Sequence, residues 1–287
     1  MDADETPLSD IMRKARNGYR RPRIGNAVHV SDLIARCIRK KALVERHSIP
    51  LPAQKLSLMD ELTFAQGDAI HDVVKARAAA ADAGGVWGRW RCHCKSLRVD
   101  EPVLLSEVDQ EILCTNCGGP ANVYEEVTFK DEEHNIVGHP DLILYLAALS
   151  AYYVTELKSI SALQYDELAR PDPDHVIQVL FYWYLMRLAG YEVADHVSIL
   201  YVTKGYKFKG DPYKEFVINA PAQVHKLDIY LADAKALKVA REGGELPKRA
   251  CASSTAPEAR KCEACTYCFD ETDGAGRKTF TIRQATW

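Results

Sequence analysis

One stretch limits what this chain can fold into more than any other. From Gly138 the sequence reads GHPDLIL and then, after a short turn, YYVTELKSI. Leu142, Ile143 and Leu144 before the turn, and Tyr152, Tyr153 and Val154 after it, are apolar at consecutive positions, the pattern of strands buried on both faces. Residues two apart on a strand share a face, so Glu156 and Lys158 project together. Asp141, on the preceding strand of the expected antiparallel pair, joins them, because opposed side chains there lie only about 5 Å apart. Two carboxylates and a lysine converging where buried strands end are costly to assemble, and buried charges are rare without a partner or a task. A divalent cation relieves the repulsion between the acids, and hard oxygen ligands suit Mg2+ or Mn2+.

At 287 residues the chain can form one large domain or two small ones. Its net charge of -3 conceals an uneven distribution: residues 12–46 carry eleven Arg and Lys against two acids, Asp32 and Glu45. A basic segment in an acidic protein points to a local anionic partner, and nucleic acid is the first candidate. Arg20, Arg21 and Arg23 then form either a phosphate-contacting arm or a solvated leader. The opening MDADETPLSD lacks the apolar core of a signal peptide. The apolar run VIQVLFYWYLMRLAG is interrupted by Gln178 and Arg187, so no membrane span is expected. The expected location is cytoplasmic, where nine cysteines argue for metals rather than disulfides.

The cysteines fall into two groups. Cys92 and Cys94 stand at one end of an apparent insertion, residues 86–121, and Cys114 and Cys117 stand at the other in CTNCGG. Cysteine pairs at both ends of a short hairpin close a tetrahedral thiolate site, the pattern of a structural zinc ribbon, with His93 a competitor for the CHC end. The second group is Cys251, Cys262, Cys265 and Cys268 in the tail together with Cys37, five thiols for one four-ligand site. Their spacing suits either zinc or an iron-sulfur cluster.

Helical periodicity fills much of the rest. VHVSDLIARCIRKKALVER is expected as one helix containing Cys37 and capped by Ser31 or Asp32. A second helix, from about Leu56 to Ala83, takes in Met59, Leu62, Ala69, Ile70 and Val73, and carries Gly67 and His71 on one face. In the helix from Asp174 to Leu188, Gln178 and Tyr182 form a polar pair four residues apart, which needs an internal partner. The strand edge bearing Glu156 and Lys158 can supply it. Further on, Lys204, Lys207 and Lys209 alternate with Tyr206 and Phe208 at a hairpin tip, either a backbone-tracking, base-stacking element or a solvated turn. A helix from about Ala222 to Arg241 leads to the tail.

Five motifs in order resemble one family: VSDLIARC with Cys37, GDAIH with His71, GHPD with Asp141, ELK with Glu156 and Lys158, and QVLFY with Gln178 and Tyr182. They resemble the RecB-like, iron-sulfur branch of the PD-(D/E)XK nucleases, which includes the CRISPR-associated spacer-acquisition exonuclease and the nuclease domain of AddB. The resemblance implies an α/β fold, a mixed central sheet flanked by helices; the zinc-ribbon insertion at 86–121 departs from the family's pattern. A basic arm over 1–27 would precede the nuclease domain over 28–287, and a cluster-binding tail over 245–287 would be stapled to the N-terminal region. It implies Mg2+ or Mn2+ held by His71, Asp141, Glu156 and the backbone carbonyl near Leu157. Lys158 would orient water or neutralise charge, and Gln178 and Tyr182 would position Lys158 or the substrate. A 4Fe-4S cluster would take Cys37, Cys251, Cys262 and Cys268, with Cys265 in place of Cys251 as the alternative. The activity implied is a DNA exonuclease of recombination, repair or phage-type processing, acting on single strands or ends, with a DNA-processing protein as a further partner. The competing reading is a non-cleaving DNA- or partner-binding module on the same fold.

Overall fold

The computed structural model describes residues 27–34, 37–49, 57–82, 84–205, 210–253, 262, 264 and 268. Arg20, Arg21, Arg23, Lys207, Lys209 and Cys265 lie outside the described residues. The chain divides into two units, one comprising residues 1–34 and 53–234, the other 35–52 and 235–287.

The first unit is built on a mixed seven-stranded sheet flanked by helices. Strands β1 (Val28–His29), β5 (Phe129–Asp131) and β6 (Ile136–Gly138) form a separate small sheet. The large sheet takes β2 (Val86–Arg91), β3 (Arg98–Leu104), β4 (Val123–Glu125), β7 (Leu142–Leu146), β8 (Ala151–Ile160), β9 (His196–Thr203) and β10 (Tyr213–Asn219). Its order is β10-β9-β8-β7-β2-β3, with β4 also paired to β2. The expected central hairpin is β7 and β8, in antiparallel register from Leu142 opposite Thr155 to Leu146 opposite Ala151. Ile143, Val154 and Leu157 are buried there, at no more than 1% exposure. β8 then pairs in parallel with β9. Parallel neighbours need a crossover, and α4 (Ala162–Glu167) and α5 (Pro173–Leu188) provide it.

The side chain of Asp172 caps α5 by accepting from the Asp174 amide at 2.8 Å, and Pro173 occupies the first helical position, where its missing N–H costs nothing. Nine of the sixteen residues of α5 are buried, so it is a core helix packed on β5, β6, β8 and β9. Close approach requires Gly138: a Cβ there would stand 2.7 Å from Leu185 and 3.1 Å from Tyr182. Tyr184, also on α5, donates to Asp131 of β5 at 2.9 Å.

Helix α3 (Leu58–Ala81) starts with a Ser57–Asp60 capping box. Its apolar periodicity does not mark its buried face. Met59, Leu62 and Val73 are 71%, 56% and 55% exposed, whereas the polar stripe through Gly67, His71 and Lys75 turns inward. At Gly67 an added Cβ would lie 2.9 Å from Ser159 Oγ, so the glycine lets α3 come down on β8.

The expected single helix through Cys37 is two: α1 (Val30–Ile34) in the first unit and α2 (Ile38–Arg46) in the second. Val28 and His29 are taken by parallel pairing with β6, so α1 begins directly at Val30 and Ser31 and Asp32 fall inside it rather than capping it. Cys37 stands at the N-cap of α2 and makes no side-chain capping bond. In the second unit Leu43 packs with Ala264 and Cys268, and with Val44, Ile49, Leu246 and Cys262 against them. Arg39 donates to the Pro247 carbonyl at 2.9 Å, and Arg46 to those of Ala240 and Gly244 at 3.0 and 2.7 Å. The boundary between units falls within α6 (Asp228–Arg241), which follows a 3-10 turn over Val224–Leu227 rather than starting near Ala222.

Candidate active site

β8 outruns β7. Pairing with β7 stops at Thr155, whereas pairing with β9 continues to Ile160, so the backbone after Thr155 has a strand on one side only. Pro140 cannot extend the ladder with an N–H, and Asp141 takes over: its Oδ2 accepts the Leu157 N–H at 2.9 Å. The carboxylate is thus anchored beside Glu156.

Glu156 and Lys158 share a face and touch, Nζ to Oε1 at 2.5 Å. Lys158 also donates to Gln178 Oε1 at 2.8 Å, and the Gln178 amide nitrogen donates to the Tyr182 hydroxyl at 2.8 Å. The polar pair on α5 therefore has Lys158 as its internal partner. His71 stands with Nδ1 at 3.6 Å from Asp141 Oδ1. Two residues that sequence reasoning did not single out complete the cluster. Lys75, only 8% exposed, pairs with Glu126 at 2.7 Å and lies 4.0 Å from Asp141 Oδ1. The signal for Lys75 was one helical step past His71. Glu126 sits between β4 and β5, two short strands in different sheets, and no periodicity marks it.

Burial pushes the Glu156 carboxyl well above the usual carboxylate range, and the charge of Asp141 adds to this; Lys158 offsets only part. Burial acts on Asp141 in the same sense, but the neighbouring His71 imidazole and the charge of Lys75 outweigh it, and its pKa is lowered. Two neighbouring acids are thereby driven apart in proton affinity, a common feature of sites that work on protons or ions. Tyr182 is pushed far up by burial and by both carboxylates, so it stays a neutral hydroxyl.

Glu156 is 1% exposed, and its Oε2 has no hydrogen-bond partner. A buried carboxylate oxygen without a donor, beside a second carboxylate and an imidazole, is a donor set that fits Mg2+ or Mn2+. The ligand atoms of His71, Asp141 and Glu156 do not all lie within 4.8 Å of one another; among the described residues only one group does so. Lys204, expected at a nucleic-acid surface, donates to the Thr63 carbonyl of α3 at 3.0 Å, and its own carbonyl accepts from Gln66 at 2.9 Å.

The group that does converge is Cys92, Cys94, Cys114 and Cys117. Cys92 Sγ is 3.4 Å from Cys94 Sγ, which is 3.5 Å from Cys114 Sγ. The Leu97 and Asn116 amides donate to Cys92 and Cys114 at 3.2 and 3.4 Å, the knuckle bonds that orient thiolates. The hydroxyl and amide of Ser96 hold the Cys94 thiol down at about 5. The Asn116 and Cys117 amides favour a Cys114 thiolate, yet burial and the sulfurs of Cys92 and Cys94 drive it up to about 11. This four-cysteine group can hold a metal ion. His93 is exposed and not part of it. Cys37, Cys251, Cys262 and Cys268 all belong to the second unit, and Cys262 and Cys268 border its core. They do not converge on the scale of a single ion.

Among the described residues no helix is long and apolar enough to cross a membrane. No family model matches the chain, and no curated protein matches it. Among solved structures it is similar to the crystal structure of SSO0001, with a TM-score of 0.39 and 14% identity over 94% of this chain and 98% of that one, a likeness too slight to carry an argument.

Proposed function

We propose that the chain is a Mg2+- or Mn2+-dependent deoxyribonuclease on a PD-(D/E)XK core, an exonuclease acting on single-stranded DNA or DNA ends. The observation that carries this reading is the Asp141–Glu156–Lys158 cluster with its buried, unpartnered Glu156 oxygen, continued by Gln178 and Tyr182. Bound by His71, Asp141, Glu156 and the Leu157 carbonyl, the metal supplies charge at the scissile phosphate and a more acidic water. Lys158 is held from two sides by acceptors, Glu156 and Gln178, which leaves its third proton for substrate or solvent. Beside two acids it serves as a fixed positive charge opposite the developing phosphorane rather than as the first base. Gln178 keeps Lys158 from swinging out; the lysine, a donor only, turns the amide oxygen toward itself, and the amide nitrogen then donates to Tyr182.

The same reading gives the two cysteine groups different work. Cys92, Cys94, Cys114 and Cys117 bind a structural Zn2+, since four thiolates leave no open position for chemistry. Cys37, Cys251, Cys262 and Cys268, or Cys265 in place of Cys251, carry a 4Fe-4S cluster, whose thiolates sit on four different irons and so stand farther apart than ligands of one ion. DNA meets Arg20, Arg21, Arg23, Lys204, Lys207 and Lys209, the protein works in the cytoplasm, and a recombination or repair protein is a fitting partner.

The test is cleavage of end-labelled single- and double-stranded oligonucleotides in Mn2+, wild type against Glu156→Gln. Shortening by the wild type and none by the variant is expected. Tight binding without cleavage by the wild type would replace this function with that of a non-cleaving DNA-binding module.

A further inference from the structure

His175 opens the face of α5 that carries Gln178 and Tyr182, one turn before Gln178. Its Nδ1 lies 2.8 Å from the Tyr201 hydroxyl, and that hydroxyl accepts from the Asp172 N–H at 3.0 Å. Tyr201 is 1% exposed, so its proton needs an acceptor, and among the described residues the one in reach is His175 Nδ1. With Nδ1 accepting, the ring proton must sit on Nε2. The charged and titratable groups acting on the ring are Lys158 from β8, Tyr201 from β9, and Asp172 and Asp174 at the start of α5.

Resting on the nuclease reading above, we propose that His175 is a positioning residue of this site. Locked by Tyr201 as the neutral Nε2–H tautomer next to Lys158, it steers the substrate phosphate onto the lysine without adding a competing positive charge. Burial first, and the Lys158 charge second, hold the ring down at about 4, so it remains a neutral donor throughout the range in which nucleic acid is handled. Tyr201 and the Asp172 amide reach the DNA only through this ring.

The experiment compares wild type, His175→Ala, His175→Gln and Tyr201→Phe of the full chain, by steady-state cleavage of a labelled oligonucleotide in Mn2+ across pH and by long-range 1H–15N NMR of the histidines. His175→Ala should raise KM about tenfold, the worth of one hydrogen bond to substrate, with a smaller change in kcat. His175→Gln, which can offer an amide N–H, should recover most of that loss. Tyr201→Phe takes the hydroxyl away from Nδ1 and should raise KM in the same sense as His175→Ala, because the ring is no longer fixed with its proton on Nε2. The NMR pattern of His175 should be that of the Nε2–H tautomer in wild type and mixed in Tyr201→Phe. Active wild type with an unchanged KM in His175→Ala, or an Nδ1–H pattern, overturns this inference alone. A wild type without nuclease activity fails the function proposed above, and the positioning role with it.

Discussion

Replacing Glu156 with glutamine should stabilise the metal-free protein while ending its response to metal. In the wild type the carboxylate is 1% exposed, sits beside Asp141, and leaves Oε2 without a donor. A buried polar group in that condition costs about 1–3 kcal/mol, and glutamine removes the charge at nearly constant volume. Its Oε1 can still accept from Lys158, and its amide nitrogen replaces the orphaned oxygen with a donor that faces a carboxylate. Against this stands the lost ion pair with Lys158, whose side chain is 22% exposed and keeps Gln178 as a partner, so that loss is the smaller one. The net gain is about 1–2 kcal/mol, which for a unit of this size raises Tm by roughly 2–8 °C. The assay is thermal unfolding in EDTA and again in Mn2+. Wild type should gain stability with the ion by mass action, and Glu156→Gln should gain almost none. A variant that melts below wild type in EDTA would mean that Glu156 is a structural partner of Lys158, and the case for a cation site would fall with it.

Asp141 differs from Glu156 because it also caps the Leu157 N–H, so Asp141→Ala should cost about 1–3 kcal/mol in urea unfolding while Asp141→Asn, which keeps the acceptor, stays within about 1 kcal/mol. Cys114→Ala should release one zinc per chain, read by metal analysis, and leave the far-ultraviolet spectrum and nuclease activity nearly intact. Cys37→Ala should lose iron, the absorbance near about 400 nm and most soluble protein; a colourless wild type with full activity would remove the cluster and leave the nuclease standing. For His175 the folded pKa, about 4, lies below the unfolded value near about 6.5. The unfolded state therefore binds the extra proton, so this contribution to stability is complete above about pH 6.5 and is lost between about pH 6.5 and pH 4. Discounted for the ring's partial exposure it amounts to about 2 kcal/mol. His175→Gln should flatten the urea midpoint over that window, and parallel curves for the two proteins would contradict the assignment.

The part of the site legible in the sequence was the part that obeys a short period. Glu156 and Lys158 are two apart on a strand, Gln178 and Tyr182 four apart on a helix, and in each pair the side chains do meet. Asp141 was readable because the apolar runs on either side of the turn set the register of β7 on β8. Glu126 follows no such rule, since it lies in the irregular link between β4 and β5. The face of α3 was misleading for a different reason. Periodicity reports where the apolar residues are, and here the helix buries the stripe of Gly67, His71 and Lys75 because Lys75 finds Glu126 and Gly67 admits Ser159. The break at Cys37 was hidden because residues on both sides of it are good helix formers. A parallel pairing of Val28 and His29 with β6, 108 residues further along the chain, is invisible to any local rule.

The position of the site follows from one mismatch in strand length. Had β7 been as long as β8, the Leu157 N–H would meet a backbone carbonyl and residues 156–160 would be a closed stretch of sheet interior. Because the ladder to β7 stops at Thr155, that N–H is available to a side chain, and only a short acceptor next to the strand end can reach it; Asp141 is that acceptor. The same bond holds a carboxylate against Glu156, so the feature that satisfies the backbone also creates the repulsion that raises the proton affinity of Glu156. Lys158 and Lys75 then balance charge from two directions, one tethered to α5 through Gln178 and the other to Glu126. Backbone satisfaction and charge concentration are thus one structural event. Lengthening β7 by two residues would erase the cluster without touching any of its side chains.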